Sequence, residues 1–238
     1  MPFRSVLITG AGTGIGHATA LELGRAGFFV FAAGRRSEPL LQVVGEITAE
    51  GGSAKACPLD VRDARAISLA VGEAAQAGQV IDVLVANAAL HDTASVAEGD
   101  PDWWRQVVDT NILGVMNCCH AVLPSMYARR AGHIVIVSSV SGRVTYPGEP
   151  VYLATKHATV AFGDALRQAV APHGIRVTLI EPGMVDTPML DNPFAAALAE
   201  SVTPLAADDV ARAIQFAIEQ PSNCSINEIV MRPTSQLL

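Results

Sequence analysis

Val6-Leu7-Ile8-Thr9-Gly10-Ala11-Gly12-Thr13-Gly14-Ile15-Gly16 decides how the rest of the chain is read. A short apolar run that suits a buried strand passes straight into a glycine-rich turn, and helical spacing follows it. Glycine has no Cβ, so these positions permit what a side chain would forbid. Gly10 can take the tight turn. Gly14 can let backbone N–H groups approach a diphosphate, and Gly16 can let the helix lie close to the strand. The helix that starts here brings partial positive charge to its N-terminus, where anions bind. The bland alternative is a tight strand–helix connection that holds no ligand.

Working outward from this unit, short apolar runs recur between longer helical patterns. Strands are expected at 6–9, 28–33, 54–58, 81–86, 134–138, 175–180 and 226–231. Their apolar runs are near-continuous rather than alternating, as for parallel strands covered on both faces. Helices are expected near 15–26, 38–50, 63–77, 102–130, 151–173 and 207–219, with Gly27 as a C-cap and Ser37 and Asp102 as N-caps. Strictly alternating strands and helices imply right-handed crossovers. The expected fold is α/β: one Rossmann domain over residues 1–238, a doubly wound, seven-stranded parallel sheet with helices on both faces. Residues 184–204, with Pro188, Pro193 and Pro204 among apolar residues, read either as a mobile substrate-binding lid or as a fixed, irregular helical excursion.

Bulk properties remove several classes of function. The chain has 238 residues, half of them hydrophobic and 16% charged, so it can bury a large core. A net charge of -7 without a basic cluster argues against nucleic acid; Arg129-Arg130 is too short a run to change that. No apolar run approaches the roughly 20 residues of a membrane span. The run at 6–9 leads into the glycine turn, so it reads as a first strand rather than a signal peptide. Cys57, Cys118, Cys119 and Cys224 lack metal-ligand spacing. They read as reduced packing residues of a cytoplasmic protein, and no metal is expected.

Chemistry enters with Tyr152-Leu153-Ala154-Thr155-Lys156 and Ser139. Tyr152 and Lys156 stand four residues apart on a predicted helix and share a face. A phenol with a pKa near 10 is a poor base at neutral pH, and a facing ammonium lowers it. Ser139 falls at the C-terminal end of a parallel strand, where open α/β sheets place ligands, and can hold a carbonyl or alkoxide oxygen. Ser138 points the other way by the strand's period of two. Ser141 reads as a loop hydrogen-bonder. A phosphate-cradling turn and an acid–base pair in one chain suggest redox chemistry.

The pattern TGxxxGIG at 9–16 resembles that of the short-chain dehydrogenase/reductase family. The resemblance covers nearly the whole chain. It includes Asp60 in Leu59-Asp60-Val61, Asn87 in Ala86-Asn87-Ala88-Ala89, Asn111 in Asp109-Thr110-Asn111, Ser139, the Tyr152/Lys156 pair and Pro182-Gly183. It implies a catalytic set in which Tyr152 is the acid/base and Ser139 polarises the substrate. Lys156 would bind the nicotinamide ribose and tune Tyr152, and Asn111 would hold a water in a proton relay. It also implies nucleotide contacts from Gly10, Thr13, Gly14, Ile15, Gly16, Asn87 and Ala88, with Asp60 on the adenine amino group and Val61 beside that ring. Tyr152, Lys156, Pro182, Gly183, Val185 and Thr187 complete the implied cofactor site. Ala89 replaces the family's usual glycine.

After the second strand the run Ala32-Ala33-Gly34-Arg35-Arg36 offers no acid for a ribose 2′-OH. Arg35 and Arg36 instead suit a 2′-phosphate, so NADP(H) is expected rather than NAD(H). Next to the glycine turn, His17 reads as a solvated helix position with a cofactor contact as the alternative. The substrate pocket is expected from 89–96, 140–150 and 184–204, including Val140, Arg143, Tyr146, Glu149, Met184, Met189 and Phe194. Its largely apolar lining suits a ketone or secondary alcohol. Arg143 is either a partner for a substrate carboxylate or a loop anchor. The ending Asn227-Glu228-Ile229-Val230-Met231-Arg232-Pro233-Thr234 resembles a branch acting on short hydroxy acids and related alcohols. It lacks the Gly-Gly close of β-ketoacyl carrier-protein reductases, which stay as an alternative beside an inactive NADP(H) sensor. The helices near 102–130 and 151–173 carry apolar residues on more than one face, which implies a homo-oligomer, dimeric or tetrameric.

Overall fold

The computed structural model describes residues 5–191 and 201–237. Strands β1 (Ser5–Thr9), β2 (Phe29–Gly34), β3 (Ser53–Pro58), β4 (Val83–Ala86), β5 (Gly132–Val137), β6 (Ile175–Pro182) and β7 (Glu228–Met231) form one sheet of order β3-β2-β1-β4-β5-β6-β7. Every adjacent pair is parallel. Helices α1 (Gly14–Arg25), α2 (Ser37–Ala49), α3 (Ala64–Gln76), α4 (Pro101–Val108), α5 (Gly114–Arg129), α6 (Pro150–Val170) and α7 (Ala207–Ile218) cover the two faces. This is the doubly wound Rossmann-type α/β fold that the alternating pattern predicts.

Alternation along each strand divides the core in two. Leu7 packs on one face with Leu84, Ile134, Ile136 and residues of α5 such as Val122 and Met126. Its neighbours Val6 and Ile8 pack on the other face with Leu23, Leu40 and Ile214 from α1, α2 and α7. Both faces of β1, β4, β5 and β6 are therefore buried, while the edge strands β3 and β7 are part exposed.

Strand order reverses between β1 and β4, so the crossovers diverge there and open a crevice at the carboxyl ends of both strands. Thr9 and Asn87 tie that crevice together. Thr9 Oγ1 accepts from Asn87 N at 3.0 Å and Ala88 N at 3.1 Å, and Asn87 Nδ2 donates to Thr9 O at 2.9 Å.

Three local expectations are corrected. The helix expected at 102–130 is divided by a π turn, Asp109–Leu113, between α4 and α5. Asp100, not Asp102, caps α4: its carboxylate accepts from Asp102 N at 2.9 Å, because Pro101 has no N–H and suits the first helical position. Ser37 is the first residue of α2, and Arg36 at the cap makes no side-chain capping bond. Gly27 does follow α1 at φ 85°, where a Cβ would strain the turn.

Candidate active site

The glycine turn is built to bring backbone close to whatever lies above it. Gly10 and Gly14 adopt φ of 67° and 55°. A Cβ on Gly14 would lie 3.0 Å from the Thr187 methyl, and one on Gly16 would lie 2.6 Å from Asn87 Nδ2 and overlap the Gly10 carbonyl. Thr13 stands at the N-cap of α1 without a side-chain capping bond, so its side chain does not close the helix N-terminus to an outside acceptor. Replacing Gly16 with Ala is expected to cost about 1–3 kcal/mol by overpacking. A thermal melt reads this as a lowered Tm, and an unchanged Tm would contradict the close approach.

Above the turn lies a groove of about 580 Å³ lined by Gly10, Thr13, Gly14, Ile15, Arg35 and Arg36, among others. Asp60, Val61, Asn87, Ala88 and Thr187 line it too, so the residues expected around a nucleotide converge. Arg35 and Arg36 are exposed there. Asp60 is bound by its neighbour Arg62 through Nη2 to Oδ2 at 2.6 Å, and this hydrogen bond holds its carboxyl below the ordinary value. His17 does not line the groove; its Nε2 meets Glu46 Oε2 of α2 at 2.8 Å. The groove fits a dinucleotide on three grounds: a backbone cradle only glycine permits, a helix N-terminus left open by its cap residue, and two exposed guanidiniums at its far end.

A second cavity of about 450 Å³ continues from the groove; Ile15, Asn87, Ala89, His91, Thr187 and Met189 line both. Ser139, Tyr152, Lys156, Pro182, Gly183 and Val185 converge on it. Ser139 lies two residues past the end of β5, and its Oγ accepts from Ser141 N at 3.1 Å and donates to Pro182 O at 3.4 Å. Ser138 Oγ turns to Lys156 O at 3.3 Å. Tyr152 and Lys156 share one face of α6 and are both buried.

Here the structure corrects the sequence reasoning. Lys156 Nζ donates to Val137 O at 3.2 Å and sits over the Tyr152 ring, 5.5 Å from its centroid. Burial holds the phenol well above its ordinary value, with the Glu149 carboxylate and Tyr146 adding to the rise and the Ser139 hydroxyl opposing it. Burial lowers the Lys156 ammonium to about 8. The expected lowering of Tyr152 by Lys156 is therefore not what this geometry produces.

Asn111 lies in the π turn, a distortion common at functional sites. Its Oδ1 accepts from Leu90 N at 2.8 Å, while Nδ2 donates to Leu90 O at 2.9 Å and Thr155 Oγ1 at 3.1 Å. The side chain thus braces the segment after β4 against α6.

Val140, Tyr146, Glu149, Met184 and Met189 line the second cavity as expected. Arg143 does not. Its Nε donates to both oxygens of Glu181 at 3.0 Å, and Nη2 also meets Glu228. It anchors β6 and β7 at the rim, and the carboxylate-binding role falls away. Phe194 lies outside the described residues, as does the middle of the segment 184–204. Val185 pairs with Leu205 in an isolated parallel bridge.

His91 falls within the expected lining 89–96 but is not singled out by the sequence. It follows β4 in Leu90-His91-Asp92, where a run of small and apolar residues acquires two ionisable ones at a strand's carboxyl end. That contrast is the signal that could have found it.

Comparison with known proteins agrees with this geometry. The sequence profile described as short chain dehydrogenase matches residues 4–197. Sulfoacetaldehyde reductase 2 of Chromohalobacter salexigens is 36% identical over 239 residues, spanning 97% of this chain and 94% of that protein. An alcohol dehydrogenase from the archaeon Thermococcus sibiricus, solved with 5-hydroxy-NADP, superimposes with a TM-score of 0.89 at 26% identity over 98% of each chain. A 3-oxoacyl-acyl-carrier-protein reductase from Brucella melitensis, solved with NAD, gives a TM-score of 0.87 at 30% identity, over 97% of this chain and 90% of that one.

Proposed function

The chain belongs to the short chain dehydrogenase family and is an oxidoreductase of CH–OH groups with a nicotinamide cofactor, and from that premise we propose an NADP(H)-dependent enzyme acting on a ketone or secondary alcohol. The observation that carries the reading is the convergence of the Tyr152 phenol, the Ser139 hydroxyl and the Lys156 ammonium on a cavity continuous with the glycine groove.

Gly10, Thr13, Gly14 and Ile15 would hold the diphosphate, with the buried Gly16 letting α1 pack close beneath them, and Arg35 and Arg36 the 2′-phosphate. Asp60, Val61, Asn87 and Ala88 would flank the adenosine. Pro182, Gly183, Val185 and Thr187 would seat the nicotinamide, which when bound supplies or accepts the hydride. Ser139 Oγ holds the substrate oxygen. Tyr152 Oη gives its proton to that oxygen in reduction and takes it back in oxidation. Its raised pKa keeps the phenol protonated at neutral pH, the form reduction needs. Lys156, still mostly protonated at pH 7 with a pKa of about 8, contributes positive charge beside the ring and a donor for the ribose. Asn111 is proposed to hold a relay water from within the π turn.

The test is loss of reduced-nicotinamide absorbance with a panel of ketones. Turnover of at least one is expected; dinucleotide binding without turnover of any would favour a sensor instead. Homo-oligomerisation is part of the same proposal: Val108 of α4 and Leu113 of the adjoining π turn are large, exposed apolar residues. A monomer by light scattering would contradict it. A cytoplasmic location is likewise proposed; among the described residues no helix is long and apolar enough to cross a membrane.

A further inference from the structure

The substrate cavity holds a carboxylate that the reaction does not require. Glu149 precedes α6 and, with Pro150 behind it, stands at the N-cap. It makes no side-chain capping bond and is only 3% exposed. Its carboxylate turns into the cavity wall instead. His91 Nε2 meets Oε1 at 2.8 Å, and Tyr146 OH donates to Oε2 at 2.8 Å. A carboxylate only accepts, so the His91 Nε2–H donates the hydrogen bond to it. Tyr146 spends its one proton on Glu149, so Ser141 Oγ, 2.7 Å away, donates to Tyr146 in turn. The His91 ring stands edge-on to the Tyr152 ring with centroids 4.6 Å apart. Glu149 stands three residues before Tyr152, at the N-cap of the helix that carries it. A buried charge with this many deliberate partners, beside the reacting phenol, is costly to keep without a use.

The other charged groups of the cavity are already committed. Lys156 points to Val137 O, and Arg143 is held at the rim by Glu181 and Glu228. His91 donates its Nε2–H to Glu149. An incoming carboxylate or sulfonate would meet a like charge and, among the described residues lining the cavity, find no guanidinium. An ammonium or hydroxyl would find an acceptor: a carboxylate offers about four lone-pair sites, and two are taken.

We propose that Glu149, positioned by His91 and Tyr146, determines substrate specificity by accepting a hydrogen bond from a cationic ammonium, or less strongly a hydroxyl, next to the reacting carbonyl. The preferred substrates are then small amino-ketones and amino-alcohols rather than oxo acids. This rests on the oxidoreductase reading above. It predicts a preference opposite in sign to the anionic aldehyde named for the C. salexigens relative.

The test uses four ketones that share a CH3–CO–CH2 frame: aminoacetone, hydroxyacetone, butanone and acetoacetate. With NADPH and the full-length enzyme, kcat/KM is expected to fall in that order, aminoacetone leading acetoacetate roughly tenfold to hundredfold, the size of one hydrogen bond to a charged group. Glu149→Gln is expected to shrink that ratio by about tenfold or more. Acetoacetate equal to or ahead of aminoacetone in the wild type overturns the proposal, as does a ratio unchanged in Glu149→Gln. The wild-type order decides by itself if the variant fails to fold. Calorimetry on the NADP-loaded enzyme separates the two levels: 1-amino-2-propanol is expected to bind more tightly than 3-hydroxybutyrate. If no ketone is reduced, the reductase reading falls, and this binding order still upholds or overturns the role of Glu149.

Discussion

Tyr152→Phe is expected to lower kcat by roughly 10²–10⁴-fold, the range for losing a positioned proton donor. The substitution removes one atom and keeps the ring that packs edge-on against His91. Tyr152 lines the substrate cavity rather than the groove over the glycine turn, so the groove's own lining is untouched. The affinity for NADP, read by quenching or calorimetry, is therefore expected to change by less than about threefold, a difference under 1 kcal/mol. A circular dichroism melt near that of the wild type would confirm that the loss is chemical. Wild-type-like turnover would refute Tyr152 as the acid/base, and equal loss of turnover and binding would make it a structural residue.

The second large effect concerns the dinucleotide. Arg35 and Arg36 follow β2 and line the groove, exposed, and the run Gly34-Arg35-Arg36 has no acid at the position where a ribose 2′-OH would need one. A bond from a guanidinium to a phosphate is worth about 1.5–3 kcal/mol, and solvent exposure favours the low end. Replacing both with Ala is expected to lower kcat/KM for NADPH by roughly 10²-fold and leave that for NADH within about threefold. The loss should shrink as salt rises, because exposed charges are screened. Wild-type preference for NADH, or the same loss with both cofactors, would overturn the assignment.

How much of this was legible in advance depends on sequence distance. The β1–α1 unit was readable because its signal is local: apolar run, glycines, helical spacing, all within residues 6–25. The Tyr152/Lys156 pairing was readable because four residues on a helix share a face wherever the helix goes. Even locally, competition mattered: Asp100 took the cap expected of Asp102 because Pro101 suits the first helical position. Arg143 could not be placed, since the two carboxylates that claim it, Glu181 and Glu228, come from β6 and β7, 38 and 85 residues away.

By itself the sequence determined the order of strands and helices, the parallel sheet and the candidate side chains at its carboxyl edge, because periodicity and turn chemistry act between near neighbours. Only the tertiary structure decided which charges line the second cavity. His91 and Glu149 meet across 58 residues, and Lys156 finds a carbonyl of β5 instead of the phenol oxygen. A side chain's partner and its desolvation depend on what the fold packs beside it, and no spacing along the chain carries that information.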